Sequence, residues 1–293
     1  MSNARRPRIV VVGDIAVDVL VAPRTPAVTG ADVPARIRTE SGGAGANTAA
    51  WLAHLGAEVT LVARVGADAA GRAAVAELAA AGVLPAVAVD PDEPTCTVVV
   101  LVENGDRTML SDRGAAARLQ PADLPALGEN DHLHLSGYVL LDPASRPAGL
   151  AALAAARTAG MSTSVDPQAA PAITAEFREW VRGVDLLLPN ADELDALGGS
   201  AADLVTTGTA RAVAVTDGAR GARWIDDAGR WHAPAQQVDA VDPTGAGDAF
   251  DAGLLVAWLG GADPAESLRA GCVAGAAAVR HDGARPPTAV SPR

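Results

Sequence analysis

Short apolar, β-branched runs alternate along the chain with Ala-rich stretches of helical period. The runs are "RIVVVG" at 8–13, "EVTLVARVG" at 58–66, "HLHLSG" at 132–137, "STSVDP" at 162–167, "VDLLLPN" at 184–190 and "RAVAVTDG" at 211–218. Helical patterns fall near 45–56, 69–82, 145–160 and 192–198, and the Ala/Leu/Val-rich stretch behind "VDPTGAGDAF" (241–250) predicts another. Strand, helix, strand repeated in this way predicts an α/β fold, a doubly wound and mostly parallel sheet flanked by helices. Two segments break the rhythm. Residues 17–40 and 95–111 are extended, the second with a hairpin-like "ENGDR" turn, and neither has a crossover helix. They predict a small antiparallel β-stranded lid beside the main sheet. No repeat, low-complexity tail or linker interrupts residues 1–293, so a single domain with a lid is expected.

Composition changes this picture in three places. Aromatic residues are 3% of the chain, so Ala, Val and Leu must build the interior. A balance of 23 basic against 35 acidic residues gives a net charge of −12, and no basic run exceeds Arg5-Arg6, which argues against nucleic acid as a partner. There is no lysine, which excludes a Walker A lysine, a protein-kinase strand lysine and Schiff-base chemistry. Phosphate, if handled, must be met by backbone amides, Arg or a metal. The first apolar run is broken by Asp14 and Asp18, too short for a signal segment or a membrane span, and reads as a core strand. Cys96 and Cys272 match no metal-ligand or CxxC spacing and point to a reducing cytoplasm. The five histidines (54, 132, 134, 232, 281) lack zinc spacing and read as structural.

Candidate chemistry gathers where glycine precedes a helix. Gly245 and Gly247 free the backbone to present N–H groups at a helix N-terminus, a cradle for an anion that needs no lysine. Asp248 beside it can take the proton of an attacking hydroxyl while the amides stabilise charge on a transferring phosphoryl group. The plainer reading is a helix cap. In "SGGAGAN" (41–47), Gly42 and Gly43 allow a small ligand close approach, and Asn47 can donate to and accept from hydroxyls. Asp14 and Asp18 follow the first strand, where ligands meet open α/β sheets, and suit sugar hydroxyls, or else serve as a loop cap and a solvated residue. Asn190 and Glu193 in "PNADE" could orient Mg²⁺ waters and nucleotide phosphates, with Asn190 as a simple N-cap equally open. Thr216, Gly218 and Gly221 form a tight turn against which a nucleotide could lie.

The order of "GGAGAN" early and "DPTGAGDAF" late, with "PNADE" and "TDGARG" between, resembles the ribokinase-like, or PfkB, carbohydrate kinase family over nearly the whole chain. The resemblance implies ATP-dependent, Mg²⁺-assisted transfer of the γ-phosphoryl group to a sugar hydroxymethyl. It casts Asp248 as the base and Gly245, Ala246 and Gly247 as the anion hole. Asp18, Gly43 and Asn47 correspond to sugar-binding positions, and Asn190, Glu193, Thr216 and Gly218 to positions near the triphosphate and metal. Asp242 and Thr244 are similar to positions that bind a monovalent cation such as K⁺. Ala16, Ala44 and the region around Gly137 depart from ribokinases proper, each removing a contact to a pentose. Arg113 could instead meet a carboxylate or phosphate on the substrate, or form an ion pair in the lid. Rival readings are a nucleoside kinase and a non-catalytic sugar-binding sensor; an NAD-dependent oxidoreductase is disfavoured because no G-x-G-x-x-G follows a strand. Lid strands with apolar positions such as Val98 to Leu101 predict pairing into a homodimer.

Overall fold

The computed structural model describes residues 6–287 apart from 27, 104, 105, 129 and 130, and only the backbone of 106 and 107. In chain order the first half comprises β1 (Arg8–Val12), β2 (Ala16–Pro23), β3 (Ala35–Gly42), α1 (Ala44–His54), β4 (Glu58–Gly66), α2 (Ala69–Ala80), β5 (Leu84–Asp90), β6 (Cys96–Glu103) and β7 (Asp106–Asp112). There follow β8 (His132–Ser136), α3 (Tyr138–Leu141), α4 (Arg146–Thr158), β9 (Ser162–Asp166), α5 (Phe177–Trp180), β10 (Val184–Leu187), α6 (Ala191–Ala196) and α7 (Ala201–Thr206). The chain ends with β11 (Ala210–Thr216), β12 (Ala222–Asp226), β13 (Arg230–Ala233), α8 (Ala246–Leu259) and α9 (Pro264–Ala278).

The main sheet has nine strands in the order β13-β12-β11-β10-β9-β8-β1-β4-β5. From β5 to β11 every pairing is parallel; β12 and β13 add antiparallel at one edge. Alternate residues of the central strands enter opposite faces. Ile9, Val11, Leu61 and Leu186 join one buried cluster with α1, α8 and α9, while Val10, Val12, Val62 and Leu187 join another with α4 and α7. Both faces are therefore covered, which is why these strands read as unbroken apolar runs rather than as alternation. Helix starts are fixed by side chains that accept first-turn amides. Asp68 caps α2 through Gly71 N at 2.7 Å, and Asp263 caps α9 through Glu266 N at 2.7 Å.

The two rhythm-breaking segments form a second sheet in the order β3-β2-β6-β7. It is mixed rather than antiparallel. β2 pairs with β6 in parallel because the chain passes through α1, β4, α2 and β5 before it returns, whereas β3 and β7 flank that pair antiparallel. The β6–β7 hairpin forms as expected down to Glu103 opposite Asp106, and its turn residues Asn104 and Gly105 lie outside the described residues. Val98 to Leu101 lie in β6, an interior strand, not on an edge. The exposed apolar side chains are instead Ile37 of β3 and Met109 and Leu110 of β7. Among the described residues no helix is long and apolar enough to cross a membrane.

Candidate active site

The chain moves to one side of β1 through β4 and β5 and to the other through β8, β9, β10 and β11, so the strand order reverses at β1 and β8. Asp14 and Gly137 follow the carboxyl ends of β1 and β8, Asp166 ends β9 and Asn190 follows β10, all at the edge where open α/β sheets leave a crevice.

Gly43 caps α1 with φ 93°, and a Cβ there would lie 2.7 Å from Asp14 O. Gly13 and Gly45 touch backbone to backbone, since a Cβ on Gly45 would meet Gly13 Cα at 2.6 Å. This contact presses the first turn of α1 against the end of β1. Gly45 N donates to Asp14 Oδ1 at 3.2 Å and Ala46 N to Asp14 O at 3.0 Å. Asp18, on β2, occupies the space that a side chain at Gly42 would need. Burial, then the charges of Asp14 and Glu40, push the Asp18 carboxyl up to about 6. Asn47 is buried, and its Nδ2 donates to Asp248 Oδ2 at 2.9 Å across 201 residues of sequence. Its Oδ1 is buried with no partner among the described residues.

Gly245 caps α8 in the left-handed region, φ 74°, and a Cβ there would meet Ala284 O at 2.5 Å. The first intrahelical bond runs from Ala249 N to Gly245 O at 2.9 Å, so helix geometry leaves the amides of Ala246, Gly247 and Asp248 without an intrahelical acceptor. Ala246 N turns back to Pro243 O at 3.3 Å. A Cβ on Gly247 would meet nothing within 4 Å, so that position opens onto the cleft. Asp248 is 8% exposed. Burial is the main cause that pushes its carboxyl up to about 7; Asp14 and Asp18 add to this, while bonds from Asn47 and Thr48 oppose it.

Asp248 faces a cavity of about 200 Å³ that also receives Asp166, Asn190, Glu193, Asp251 and the Gly245–Gly247 turn. Asp166 and Asp251 escaped the sequence reading. Both are held well above the usual carboxylate range, by burial first and then by the neighbouring acidic groups, and Asp251 Oδ2 has no partner among the described residues. Asn190 and Glu193 form a full capping box. Glu193 N donates to Asn190 Oδ1 at 2.9 Å, while Glu193 accepts from Asn190 N at 2.9 Å and from Asn190 Nδ2 at 2.7 Å. The N-cap reading of Asn190 thus holds together with its place in the cavity. Beside Asp166, Gln168 and Ala169 adopt left-handed φ of 59° and 37°, a strained pair with no glycine.

A second cavity, about 390 Å³, shares Thr216, Pro243, Ala246 and Gly247 with the first. Gly218 and Gly221 line it, with residues 235–238 of the loop after β13 and the small residues Gly275 and Ala276 of α9, which no sequence signal had marked. Asp242 and Thr244 do not line the cavity that Glu193 enters, although Pro243 between them does. Thr244 N and its hydroxyl donate to Asp242 Oδ1 at 3.0 and 2.7 Å, and Gly283 N donates to Asp242 Oδ2 at 3.3 Å. Among the described residues no three His, Cys, Asp or Glu side chains assemble into a metal-binding group. His132 and His134 are buried on Ser162 and Ser164, 2.7–2.8 Å away, and burial lowers them to about 3 and about 4. Residues 283–285 reach back over both glycine motifs. Trp51 Nε1 donates to Ala284 O at 2.9 Å, and Arg285 donates to Gly42 O at 3.2 Å and Glu77 Oε1 at 2.9 Å.

Residues 6–290 match the family described as pfkB family carbohydrate kinase. The chain is 33% identical over 264 residues to an ATP-dependent ribose-1-phosphate kinase of Halopiger xanaduensis, covering 87% of this chain and 86% of that protein. It is 35% identical over 267 residues to a fructokinase of Klebsiella pneumoniae, covering 85% and 83%. The fold superposes with a TM-score of 0.79 on aminoimidazole riboside kinase from Salmonella enterica, solved with aminoimidazole riboside and an ATP analogue, at 28% identity over 94% of this chain and 95% of that one. The chain belongs to the PfkB family of carbohydrate kinases, phosphotransferases that act on sugar hydroxyl groups.

Proposed function

We propose that this protein transfers the γ-phosphoryl group of ATP to a hydroxymethyl group of a sugar or sugar derivative, with Asp248 as the base. The observation that carries the reading is the placement of Asp248, a buried carboxylate held near neutrality at the open end of α8 and gripped by Asn47 from the other glycine motif. A carboxylate with that affinity accepts a hydroxyl proton at neutral pH. As the proton moves to Asp248, the acceptor oxygen bonds to the γ-phosphorus and the bond to the bridging oxygen breaks, leaving ADP. The first-turn amides at Gly247 and its neighbours face the charge that develops on the migrating group. Gly247 has no side chain where the phosphate must come close, and Gly245 supplies the left-handed turn that aims the helix.

The larger cavity, walled by small apolar side chains, suits a flat heteroaromatic base, with Thr216, Gly218 and Gly221 along its rim. Asp166, Glu193 and Asp251 enter one cavity without closing into a ligand cage, so Mg²⁺, which keeps several waters and takes one or two carboxylates, would be held there mainly through its waters. Bound there it would neutralise charge on the phosphate oxygens. Asp242 and Thr244 brace the loop before α8, and K⁺ dependence of turnover tests whether they also serve a cation. Asp14, Asp18, Gly42, Gly43 and Asn47 form the acceptor side, with the second sheet as its lid. The exposed Ile37 and Leu110, which the strand register sets on one face, make a second copy of the chain the partner we assign to that sheet.

The likeness to aminoimidazole riboside kinase favours a nucleoside acceptor as the second reading. The experiment is an ADP-release assay over pentoses, hexoses, sugar acids, sugar phosphates and nucleosides, with and without K⁺. Turnover with sugars and its loss in Asp248→Asn support the proposal. Wild-type turnover in that variant removes the mechanism, and sugar binding without turnover in the wild type points to a sensor.

A further inference from the structure

Arg113 follows β7 and leans over the acceptor side of the cleft. Its Nη1 donates to Asp14 Oδ2 at 3.4 Å, and its guanidinium lies 5.1 Å above the centre of the Tyr138 ring. The remaining edge, Nε and Nη2, is buried and has no hydrogen-bond acceptor among the described residues. Asp142 Oδ2 approaches Nε only to 4.0 Å, beyond hydrogen-bond reach. A guanidinium does not shed its proton, so a dry, unmatched edge carries a desolvation cost that an anion relieves.

The geometry of that edge selects the ligand. Nε–H and Nη2–H are the two parallel donors that meet a pair of oxygens of one carboxylate or phosphate. Asp14 at one end and Tyr138 beneath leave little freedom to turn the fork away. Arg285 repeats the theme across the site. It binds Gly42 O and Glu77, its Nε is buried without a partner among the described residues, and its charge acts on Asp18. The other charged groups here, Asp14, Asp18, Glu40 and Asp248, are acidic and turn an anion toward the arginine edge, where Asp142, 4.0 Å from Nε, would have to swing aside to admit it.

We propose that the acceptor carries an oxyanion, phosphate or carboxylate, seated on the Nε/Nη2 edge of Arg113. This rests on the kinase reading above and names the substrate class. The test pairs neutral and charged sugars: ribose with ribose 1-phosphate, ribose 5-phosphate and ribonate, and fructose with fructose 1-phosphate, fructose 6-phosphate and gluconate. Two readouts are taken, kcat/KM for ADP release and the shift in Tm that each sugar causes without ATP.

The charged partner of at least one pair should exceed its neutral form by about 10-fold in kcat/KM. Arg113→Gln should lower that ratio by about 10- to 100-fold, and Arg113→Lys should restore it only in part, because a point charge lacks the fork. Circular dichroism checks that both variants fold. The phosphate and carboxylate arms tell which oxyanion is meant. Neutral sugars preferred by the wild type, or Arg113→Gln lowering charged and neutral sugars equally, would overturn the proposal and leave Arg113 as a brace for Asp14. If no sugar releases ADP, the kinase reading fails. The Tm readout then decides alone: a shift with a charged sugar in the wild type that Arg113→Gln removes upholds the anion site, and its absence refutes it.

Discussion

Asp248 concentrates the chemistry in one carboxylate, and its environment makes testable claims about protons. Asp248→Asn should cut kcat by about 10²- to 10⁴-fold, the range for a positioned general base, with sugar binding largely kept, checked by ADP release and calorimetry. Because the carboxyl must be ionised to act, kcat/KM in the wild type should rise with pH through about 7. Stability runs the other way. The carboxyl goes from 3.8 to about 7 on folding, so between those values the folded state holds a proton that the unfolded chain has released, and stability falls as pH climbs through that window. The variant lacks this loss, so its Tm relative to the wild type should increase from pH 4 to pH 8. Gly247→Ala should tell cleft from scaffold. Its methyl meets no atom of the protein and favours the helix, so Tm should hold or rise while turnover falls.

At the scale of elements, the buried parallel strands were legible because each is a short apolar run closed by a turn. The edges were not. β5 contains Pro85 and β12–β13 are half-buried, so neither gives a clean period. The Asp-Pro-x-Glu start of α9, a capping box, was a signal available and unread. The two glycine motifs and Asp248 could be read from residue type, whereas Asp166 and Asp251 needed the sheet register and one helical turn to meet the cavity. The left-handed Gln168–Ala169 pair has no sequence mark. Close packing of α8 on α9 carries a further prediction. A Cβ at Gly271 would strike the Phe250 ring at 2.7 Å, and Phe250 lines the larger cavity. Gly271→Val should therefore destabilise by about 1–3 kcal/mol and raise KM for ATP more than KM for the acceptor, measured by melting and steady-state kinetics.

For the whole molecule, the second sheet is the part that the sequence placed correctly but paired wrongly, since its parallel β2–β6 ladder exists only after a long excursion of the chain. If it is also the face between two copies, Ile37→Glu with Leu110→Glu, which the register places on one face, should shift sedimentation toward the monomer without lowering the thermal transition of the isolated fold. The return of residues 283–285 matters for another reason. Ala284 abuts Gly245 and takes the Trp51 indole hydrogen, Gly283 holds Asp242, and Arg285 grips Gly42. One short strap thus latches the acceptor half of the cleft to the phosphate half, so a cut at residue 282 would leave that join to the Asn47–Asp248 bond and the packing of α1 against α8.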